Sequence, residues 1–339
     1  MSDSLGIALV GYGYWGPNLL RNYMDLPEAE VKWVCDADPE ALRRAQSRYA
    51  SVPVTTNYEQ VLSDPAVEAV LVATPISTHH ALARAALEAG KHVFVEKPMT
   101  HDVASSRDLV ELADQTGLTL MVGHTFVYSP PVRVVQGLID SGELGEIRYV
   151  HTSRVNLGLH QKDVSVIWDL MPHDLSIIYS WLGRPAGTVA AHGQGCVVPG
   201  IPDVAFVVLN FPDRVIAGSH VSWLSPVKLR STMVVGSKKM LVYDDTQNTE
   251  KVKVFDHGVD FEEAEDFGEF QLSYRTGDIV SPKIPHTEPL WIEAKEFVAA
   301  VAEGRPPLTD GRAGLQIVAT LEAAERSLHD CCGPVRIEY

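Results

Sequence analysis

The first third of the chain alternates short apolar runs with longer amphipathic stretches. Five apolar runs predict buried strands, at residues 5–10, 31–35, 67–73, 92–95 and 118–122. Helix signals separate these runs: Pro39 opens one helix, and Asp102 and Gly117 bound another. Strands that are apolar throughout and separated by helices predict a parallel sheet covered on both faces.

The pattern changes after residues 128–131, where two prolines follow each other. The predicted elements are then helix 132–141, strand 147–155, helix 170–182, at least five closely spaced strands that include 205–211, 215–223 and 233–235, and helices 289–303 and 312–329. A half so rich in strands predicts a largely antiparallel sheet.

Together the two patterns predict an α/β protein of two domains. Residues 1–126 would form a doubly wound parallel sheet, and residues 127–339 an α+β domain with a large, mostly antiparallel open sheet. The length agrees, because 339 residues are too many for one compact core and enough for two domains. The cleft between two such halves is where we expect the binding site.

Composition and charge exclude several classes of protein. The chain is 45% hydrophobic and 21% charged, which rules out wholesale disorder. It has 44 acidic and 28 basic residues, a formal net charge of −16, whereas nucleic acids and anionic membranes favour clustered Lys and Arg. We therefore expect neither a nucleic acid nor a membrane as a partner.

Signals for targeting and for metal binding are weak. The four cysteines, the last two at Cys331 and Cys332, form no CxxC pair. The first ten residues lack the basic start of a signal peptide, and no apolar run approaches the length of a membrane span. The histidines lack metal-ligand spacing, so we expect no metal. Because the cysteines suggest no disulfide framework, we expect a reduced, cytoplasmic compartment.

A glycine-rich turn lies between the first predicted strand and the first predicted helix. Its G-x-G-x-x-G pattern consists of Gly11, Gly13 and Gly16, with Tyr14 and Trp15 inside it. The pattern alone also fits an ordinary loop. Its place directly after the first strand, with an acidic residue ending the second, favours a Rossmann domain that holds a dinucleotide pyrophosphate on the helix N-terminus.

That acidic residue is Asp36. A carboxylate at this point accepts hydrogen bonds from the ribose hydroxyls of NAD and repels the 2′-phosphate of NADP, so we favour NAD over NADP. The alternative interpretation is a turn aspartate ahead of Pro39.

Other residues that could contact a ligand also fall where predicted strands of this half end. They are Thr74, Pro75, Glu96, Lys97 and His124. Parallel strands end at one edge of their sheet, which is where open α/β sheets bind ligands. We predict that these residues and His79, in the helix after Pro75, bind the cofactor.

Lys97 is the most informative single residue. It follows a predicted strand, lies between Glu96 and Pro98, and belongs to no helix face. It is either a surface lysine paired with Glu96 or a general base beside the nicotinamide. The second interpretation requires its pKa to fall by about 3 units, roughly 4 kcal/mol, which desolvation in a closed cleft can supply.

The second half offers two further pairs of polar residues. Asp169 and His173 are four residues apart and therefore on one helical face. His173 lies nearly opposite the apolar stripe of that helix. Asp169 fits a helix N-cap equally well, because Pro172 suits only a first turn. Arg154 and Asn156 project from the same face of a strand, which suits either a hydroxyl-rich ligand or an exposed sheet face.

Several segments together resemble the glucose–fructose oxidoreductase/inositol dehydrogenase (Gfo/Idh/MocA) family over nearly the whole chain. They are GYGYWGPNLLRN at 11–22, ATPISTHHALARAALEAGKHVFVEKPM at 73–99, GHTFVYSPPV at 123–132, WDLMPHD at 168–174 and GRPPLTDGRAGLQIV at 304–318. The EKP tripeptide after GKHVFVE is the most specific of these motifs.

The resemblance implies a Rossmann domain followed by a mostly antiparallel α/β domain whose open sheet face builds a homodimer or homotetramer. It also implies that the EKP lysine acts with a histidine, and with an aspartate four residues before that histidine, at a reacting hydroxyl. These roles map onto Lys97, His173 and Asp169, which we predict to be catalytic. The family commonly has a cis Lys–Pro bond, so we expect a cis peptide before Pro98.

The implied activity is NAD(P)-dependent hydride transfer between nicotinamide and a secondary alcohol or ketone of a sugar, sugar nucleotide or cyclitol. We assign Lys97, Arg154, Asn156, Asp169 and His173 to the substrate site. Two alternatives remain: an NAD-dependent glycoside hydrolase that oxidises its substrate transiently, and a non-catalytic NAD-sensing protein. The chain departs from the family pattern in two places, with Thr-Pro-Ile at 74–76 in place of TPN, and Val and Ser at 127 and 129 where Arg and Asn are common.

Overall fold

The computed structural model describes residues 4–161, 164–263, 270–329 and 333–339. Cys331 and Cys332 lie outside these ranges, while Cys35 is a buried and Cys196 an exposed free cysteine. The chain divides into two compact units. The first unit consists of Met1–Ser129, Thr287–Glu322 and Tyr339, and the second of Pro130–His286 and Ala323–Glu338.

Six parallel strands form one sheet in the described part of the first unit. They are β1 Leu5–Val10, β2 Ala29–Cys35, β3 Val54–Thr55, β4 Ala69–Val72, β5 His92–Glu96 and β6 Leu120–Gly123. Their order across the sheet is β3-β2-β1-β4-β5-β6, the order of a Rossmann domain. Strands β1, β4 and β5 are buried along almost their whole length, which explains their continuous apolar runs and confirms the predicted parallel sheet.

Helices follow the strands of this first sheet. They are α1 Gly16–Met24, α2 Pro39–Arg48, α3 Tyr58–Ser63, α4 Ile76–Glu88 and α5 Val103–Thr116, and a 3₁₀ turn at Thr125–Tyr128 follows β6. The predicted signals operate as expected in α5, where the Asp102 side chain accepts the backbone N–H of Ser105 and Gly117 ends the helix with a φ of +67°.

The chain returns to the first unit near its end, through α8 (Pro289–Glu303) and the first part of α9 (Gly311–His329). Phe297 of α8 packs edge-on against Phe94 of β5 and Tyr23 of α1, with ring centroids 5.9 and 6.5 Å apart. The predicted division had assigned every residue after 126 to the second domain. A local hydrophobic pattern shows that α8 has an apolar face but not which sheet that face covers.

Nine strands form the second sheet within the described part of the second unit. They are β7 Ile147–Val155, β8 Thr188–Gln194, β9 Val204–Asn210, β10 Ile216–Ser222, β11 Leu229–Gly236, β12 Met240–Asp244, β13 Val252–Glu263, β14 Phe270–Val280 and β15 Val335–Arg336. Their order is β14-β13-β12-β11-β7-β10-β9-β8-β15. Strands β7 and β10 pair in parallel and the other neighbours are antiparallel, which confirms the predicted sheet.

The second unit also contains two helices, α6 (Pro130–Asp140) and α7 (Val166–Leu182), and the last part of α9. α7 packs on β7, β9 and β10. Burial alternates along β9, where Val207 is buried while Phe206 and Val208 are exposed. The sheet therefore has one covered and one open face. In the ranges that the structure describes, no helix is long and apolar enough to cross a membrane.

Candidate cofactor and active site

The glycine turn after β1 has the backbone geometry that a dinucleotide site needs. Gly11 has a φ of +97°, and a Cβ there would lie 2.5 Å from the carbonyl oxygen of Ala73. A Cβ on Gly16 would lie 2.1 Å from the carbonyl oxygen of Gly11. A Cβ on Gly13 would meet no described atom within 4 Å, so this part of the turn is open to a ligand.

The N-terminus of α1 fits an anion. Its N-cap residue, Trp15, makes no side-chain cap within the described chain, whereas Asp38 caps α2 and Asp102 caps α5. Pro17 has no N–H, and the N–H groups of Asn18 and Leu19 donate to the carbonyl oxygen of Trp15. This terminus therefore offers a phosphate the N–H of Gly16 and the positive end of the helix dipole. Tyr14 is 94% exposed and Trp15 is half-buried beside this N-terminus. The residues present thus fit the pyrophosphate of NAD.

Asp36 is half-buried just after β2 and already has backbone partners. Its Oδ2 accepts the N–H of Tyr12 at 2.6 Å, and its Oδ1 accepts the N–H of Asp38 at 2.8 Å. Asp36 therefore does act as a turn aspartate, because it accepts backbone N–H groups on both sides. It can still bind the ribose of the cofactor, because each carboxylate oxygen can accept a second hydrogen bond.

The other predicted cofactor residues lie at the same edge of the sheet. β4 pairs with β5 up to Val72 and Val95, and β5 pairs with β6 up to Glu96 and Gly123. Thr74 and the exposed Pro75 follow β4, and the residues after Glu96 and Gly123 follow their strands in the same direction. The parallel sheet thus collects these strand ends at its carboxyl edge.

Lys97 is half-buried between two buried residues, Glu96 and Pro98. The Lys97–Pro98 peptide bond is cis, as expected. The Glu96 carboxylate accepts the backbone N–H of Lys97 at 3.2 Å through Oε2. Burial raises the pKa of Glu96 to about 7, and the positive charge of Lys97 opposes that rise.

A second buried carboxyl group, Glu293 of α8, belongs to the same region. It is 1% exposed, and its Oε2 accepts the hydroxyl proton of Thr125 at 2.9 Å. Burial first, and then the negative charge of Glu96, raise the pKa of Glu293 well above its usual range. Burial therefore favours the neutral form of this carboxyl group. The sequence held no signal for it, because α8 is far from β5 along the chain.

His79 and His124 lie after strand ends, where the sequence places them, and both are buried. Each is only 1% exposed, and cofactor binding by either residue stays a prediction. His79 lies between two backbone carbonyl groups, while the ring nitrogens of His124 have no hydrogen-bond partner among the described residues. Burial lowers the pKa of His124 to about 3, so this imidazole is neutral.

In the second unit, Asp169 and His173 share a half-buried face of α7. Asp169 is not the N-cap, because α7 begins at Val166 with Ser165 as its N-cap. The N-cap alternative was wrong because Pro172 is accommodated inside the helix instead of in its first turn. The indole Nε1–H of Trp223 donates to Oδ2 of Asp169 at 2.9 Å, a contact that the sequence reasoning missed.

Arg154 and Asn156 differ in burial and in hydrogen-bond partners. Arg154 is 6% exposed, and its Nε and Nη2 donate to Oδ1 of Asp174 at 3.0 and 2.8 Å. Asn156 lies one residue beyond the end of β7 and is half-buried. Arg154 therefore has a structural ion pair, and a substrate contact by either residue stays a prediction. No group of three or more metal-ligating side chains occurs in the described part of the chain.

Comparison with known proteins agrees with this geometry. A family model described as "Oxidoreductase family, NAD-binding Rossmann fold" matches residues 5–124, and the "GFO/IDH/MocA C-terminal domain" matches residues 132–242. The chain belongs to the Gfo/Idh/MocA family. It is an oxidoreductase-family protein whose first domain is an NAD-binding Rossmann domain.

The relatives of this chain include proteins named as a dehydrogenase and as a hydratase. UDP-N-acetylglucosamine 3-dehydrogenase of Acidithiobacillus ferrooxidans is 26% identical, over 92% of this chain and 93% of the relative. The 2,7-anhydro-N-acetylneuraminate hydratase of Escherichia coli is 26% identical, over 95% of each chain. The crystal structure of GenD2 from gentamicin A biosynthesis in complex with NAD has a TM-score of 0.83 at 25% identity, over 100% of this chain and 98% of GenD2.

Proposed function

We propose that this protein is an NAD-dependent oxidoreductase that transfers a hydride between nicotinamide and a secondary alcohol or ketone of a sugar, sugar nucleotide or cyclitol. The observation behind the proposal is the position of Lys97, a half-buried residue at the sheet edge that also bears the open glycine turn and Asp36. The relative that acts on UDP-N-acetylglucosamine supports the substrate class.

In this proposal Lys97, His173 and Asp169 form the proton-transfer group. Either Lys97 or His173 removes the proton from the reacting hydroxyl, and in the reverse direction it returns that proton to the carbonyl oxygen. Bound NAD supplies the hydride acceptor. Asp169, held by the Trp223 indole, orients His173 and stabilises its charged form. Arg154 and Asn156 contact hydroxyl groups of the substrate.

We also propose that the protein prefers NAD to NADP. The half-buried Asp36 carboxylate accepts ribose hydroxyls and repels a 2′-phosphate. Kd values for both dinucleotides, measured by titration, test this preference directly. Tighter binding of NADP would contradict it.

A panel of cyclitols, free sugars and nucleotide sugars, each assayed with NAD and NADP by nicotinamide absorbance, tests the activity. With the best substrate, Lys97→Ala should lower kcat by roughly 10²–10⁴ and change the Kd for NAD by no more than about threefold. Lys32→Ala, at a lysine paired with Glu30 on the surface, is the matched control. Near-normal turnover by Lys97→Ala would remove Lys97 from the chemistry, and no turnover with any pair would favour the NAD-sensing alternative.

The relative named as a hydratase favours a second candidate function, because hydration involves no net oxidation. The chain would then use NAD transiently to permit elimination and return it unchanged, as in the glycoside hydrolase alternative. Product formation from a glycoside or anhydrosugar without accumulation of NADH would support this candidate. NADH formed in proportion to the oxidised product would contradict it.

We further propose that the open face of the second sheet forms a homodimer or homotetramer. Tyr149, Phe206, Val208 and Ile216 expose apolar side chains, and the strand register sets them on one face. Sedimentation of the wild type and of Phe206→Asp tests this proposal. A monomeric wild type would contradict it.

A further inference from the structure

His79 lies where two loops at the carboxyl edge of the first sheet meet. It is on α4, four residues after the N-cap Pro75, and is 1% exposed. Side chains of a helix lean towards its N-terminus, so the imidazole reaches back over the first turn of α4. Its surroundings are therefore the ends of strands and not solvent.

The imidazole contacts one carbonyl oxygen from each loop. Nε2 is 2.8 Å from the carbonyl oxygen of Thr74, which follows β4. Nδ1 is 2.9 Å from the carbonyl oxygen of Pro98, which follows β5. Because β4 and β5 are neighbours in the sheet, this one ring spans the two loops.

The second contact bears on Lys97, because side chains hold the backbone on both sides of that residue. The Glu96 carboxylate accepts the N–H of Lys97, and His79 contacts the carbonyl group of the next residue, Pro98. Pro98 and Met99 are buried, so the loop is packed as well as hydrogen-bonded. The starting direction of the Lys97 side chain depends on these contacts.

We propose that His79 is a positioning residue for Lys97 and acts through a hydrogen bond from its Nδ1–H to the carbonyl oxygen of Pro98. This inference rests on the proposed function, in which Lys97 transfers a proton. A displacement of about 1 Å at a reacting group costs about 10²-fold in rate, so a contact one residue from Lys97 has a measurable effect.

Both contacts of His79 are to acceptors, and a neutral imidazole has only one N–H to donate. Burial, the largest cause, lowers the pKa of His79; hydrogen bonds to the backbone of Thr74, Pro98 and Met99 raise it, and the charge of Lys97 lowers it. Burial therefore favours the neutral ring, in which only one of the contacts to Thr74 and Pro98 is a hydrogen bond at a time. The proposal assigns the proton to Nδ1, and the alternative tautomer would tie the ring to Thr74 instead.

Two amide substitutions separate the tautomers. The side-chain nitrogen of Asn lies near the position of Nδ1, and that of Gln near the position of Nε2. His79→Asn therefore keeps a donor towards Pro98, and His79→Gln keeps one towards Thr74. We expect His79→Gln to lower kcat about 10–100-fold with KM and the Kd for NAD within about threefold, and His79→Asn to stay within about threefold of the wild type.

His92, on the strand that leads to Lys97, provides a control for the histidine substitution. It lies at the amino end of β5, where its Nδ1 accepts the backbone N–H of Thr119 at 3.0 Å. His92→Gln removes a half-buried imidazole with one backbone partner, at the end of β5 that is remote from Lys97. It should lower the unfolding temperature and leave kcat within about twofold.

A readout without substrate keeps the two proposals separable. The rate at which acetic anhydride acylates Lys97, measured by peptide mass spectrometry relative to Lys32 in the full-length protein, reports the position of the Lys97 amine. We expect a change of about threefold or more in His79→Gln, and smaller changes in His79→Asn and His92→Gln.

Each outcome has one meaning. Retained kcat and unchanged acylation in His79→Gln, or loss in His79→Asn instead of His79→Gln, would overturn the assignment of His79. Altered acylation in His79→Gln, with no sugar turned over by the wild type, would support the positioning of Lys97 and count against the proposed function. Altered acylation together with a lower kcat in His79→Gln alone supports both.

Discussion

Glu96 ionises at a higher pH in the folded protein than in the unfolded chain, and the free energy of unfolding should reflect this difference. Burial raises the pKa of Glu96 from its ordinary 4.5 to about 7. The folded protein therefore binds this proton more tightly than the unfolded chain does. The stability that the proton contributes is fully present below pH 4.5 and is lost as the pH rises towards 7.

The two pKa values determine the magnitude. A rise from 4.5 to about 7 corresponds to about 3 kcal/mol of unfolding free energy, of which about 2 to 3 kcal/mol is lost between pH 5 and pH 8. Carboxylates such as Asp108, whose pKa the Arg84 guanidinium holds below its usual range, titrate at lower pH. A difference between two variants removes the contributions of groups whose pKa does not depend on Glu96, which excludes only its neighbours such as Glu293.

Urea unfolding of the wild type and of Glu96→Gln at several pH values from 5 to 8 measures this difference. Relative to its offset at pH 5, Glu96→Gln should become more stable than the wild type by about 2 to 3 kcal/mol at pH 8, because glutamine has no proton to lose. Glu111→Gln, at an exposed position of α5 in the same unit, is the control for the amide substitution. A difference that stays constant from pH 5 to pH 8 would refute a raised pKa for Glu96.

Four further substitutions test other parts of the structure. Arg154→Met leaves the buried Asp174 carboxylate without its ion pair and should cost about 3–5 kcal/mol in urea unfolding; an effect below about 1 kcal/mol would contradict a buried pair. Trp223→Phe removes the hydrogen-bond donor to Asp169 and should lower kcat about tenfold with an unchanged Kd for NAD. An unchanged kcat would show that this hydrogen bond to Asp169 does not contribute to catalysis. Gly16→Ala should lower stability, because its Cβ would overlap the backbone of the turn, while Gly13→Ala should fold normally and weaken NAD binding at least about tenfold in calorimetric titration. Equal stability of the two glycine variants would contradict the geometry of the turn.

Local signals predicted the parts of the fold that depend on neighbouring residues. The strands of the first sheet, the caps of α5 and the glycine turn all follow from apolar runs, side-chain acceptors and positive φ angles within a few residues. The predicted start of α7 at residue 170 is wrong, because Pro172 lies inside the helix and not in its first turn. One missing hydrogen bond is tolerated in a helix whose remaining length is well buried.

The interactions that were missed join residues distant in sequence. Glu293 lies near Glu96 because α8 returns to the first unit, and Trp223 contacts Asp169 because β10 lies under α7. No periodicity or spacing reports such a return. The strand-end positions of His79 and His124 follow from the sequence, but their burial does not, because position along the chain does not determine whether a ring is exposed or buried.

Asp36 also limits how the cofactor specificity of this chain could be engineered. Its carboxylate bonds the backbone of Tyr12 inside the glycine turn and that of Asp38 at the start of α2. Replacing it with a residue that has no hydrogen-bond acceptor, in order to admit a 2′-phosphate, would release both segments at once. A redesign towards NADP should therefore retain a hydrogen-bond acceptor at this position, as Asn or Ser does, and introduce the positive charge from another residue.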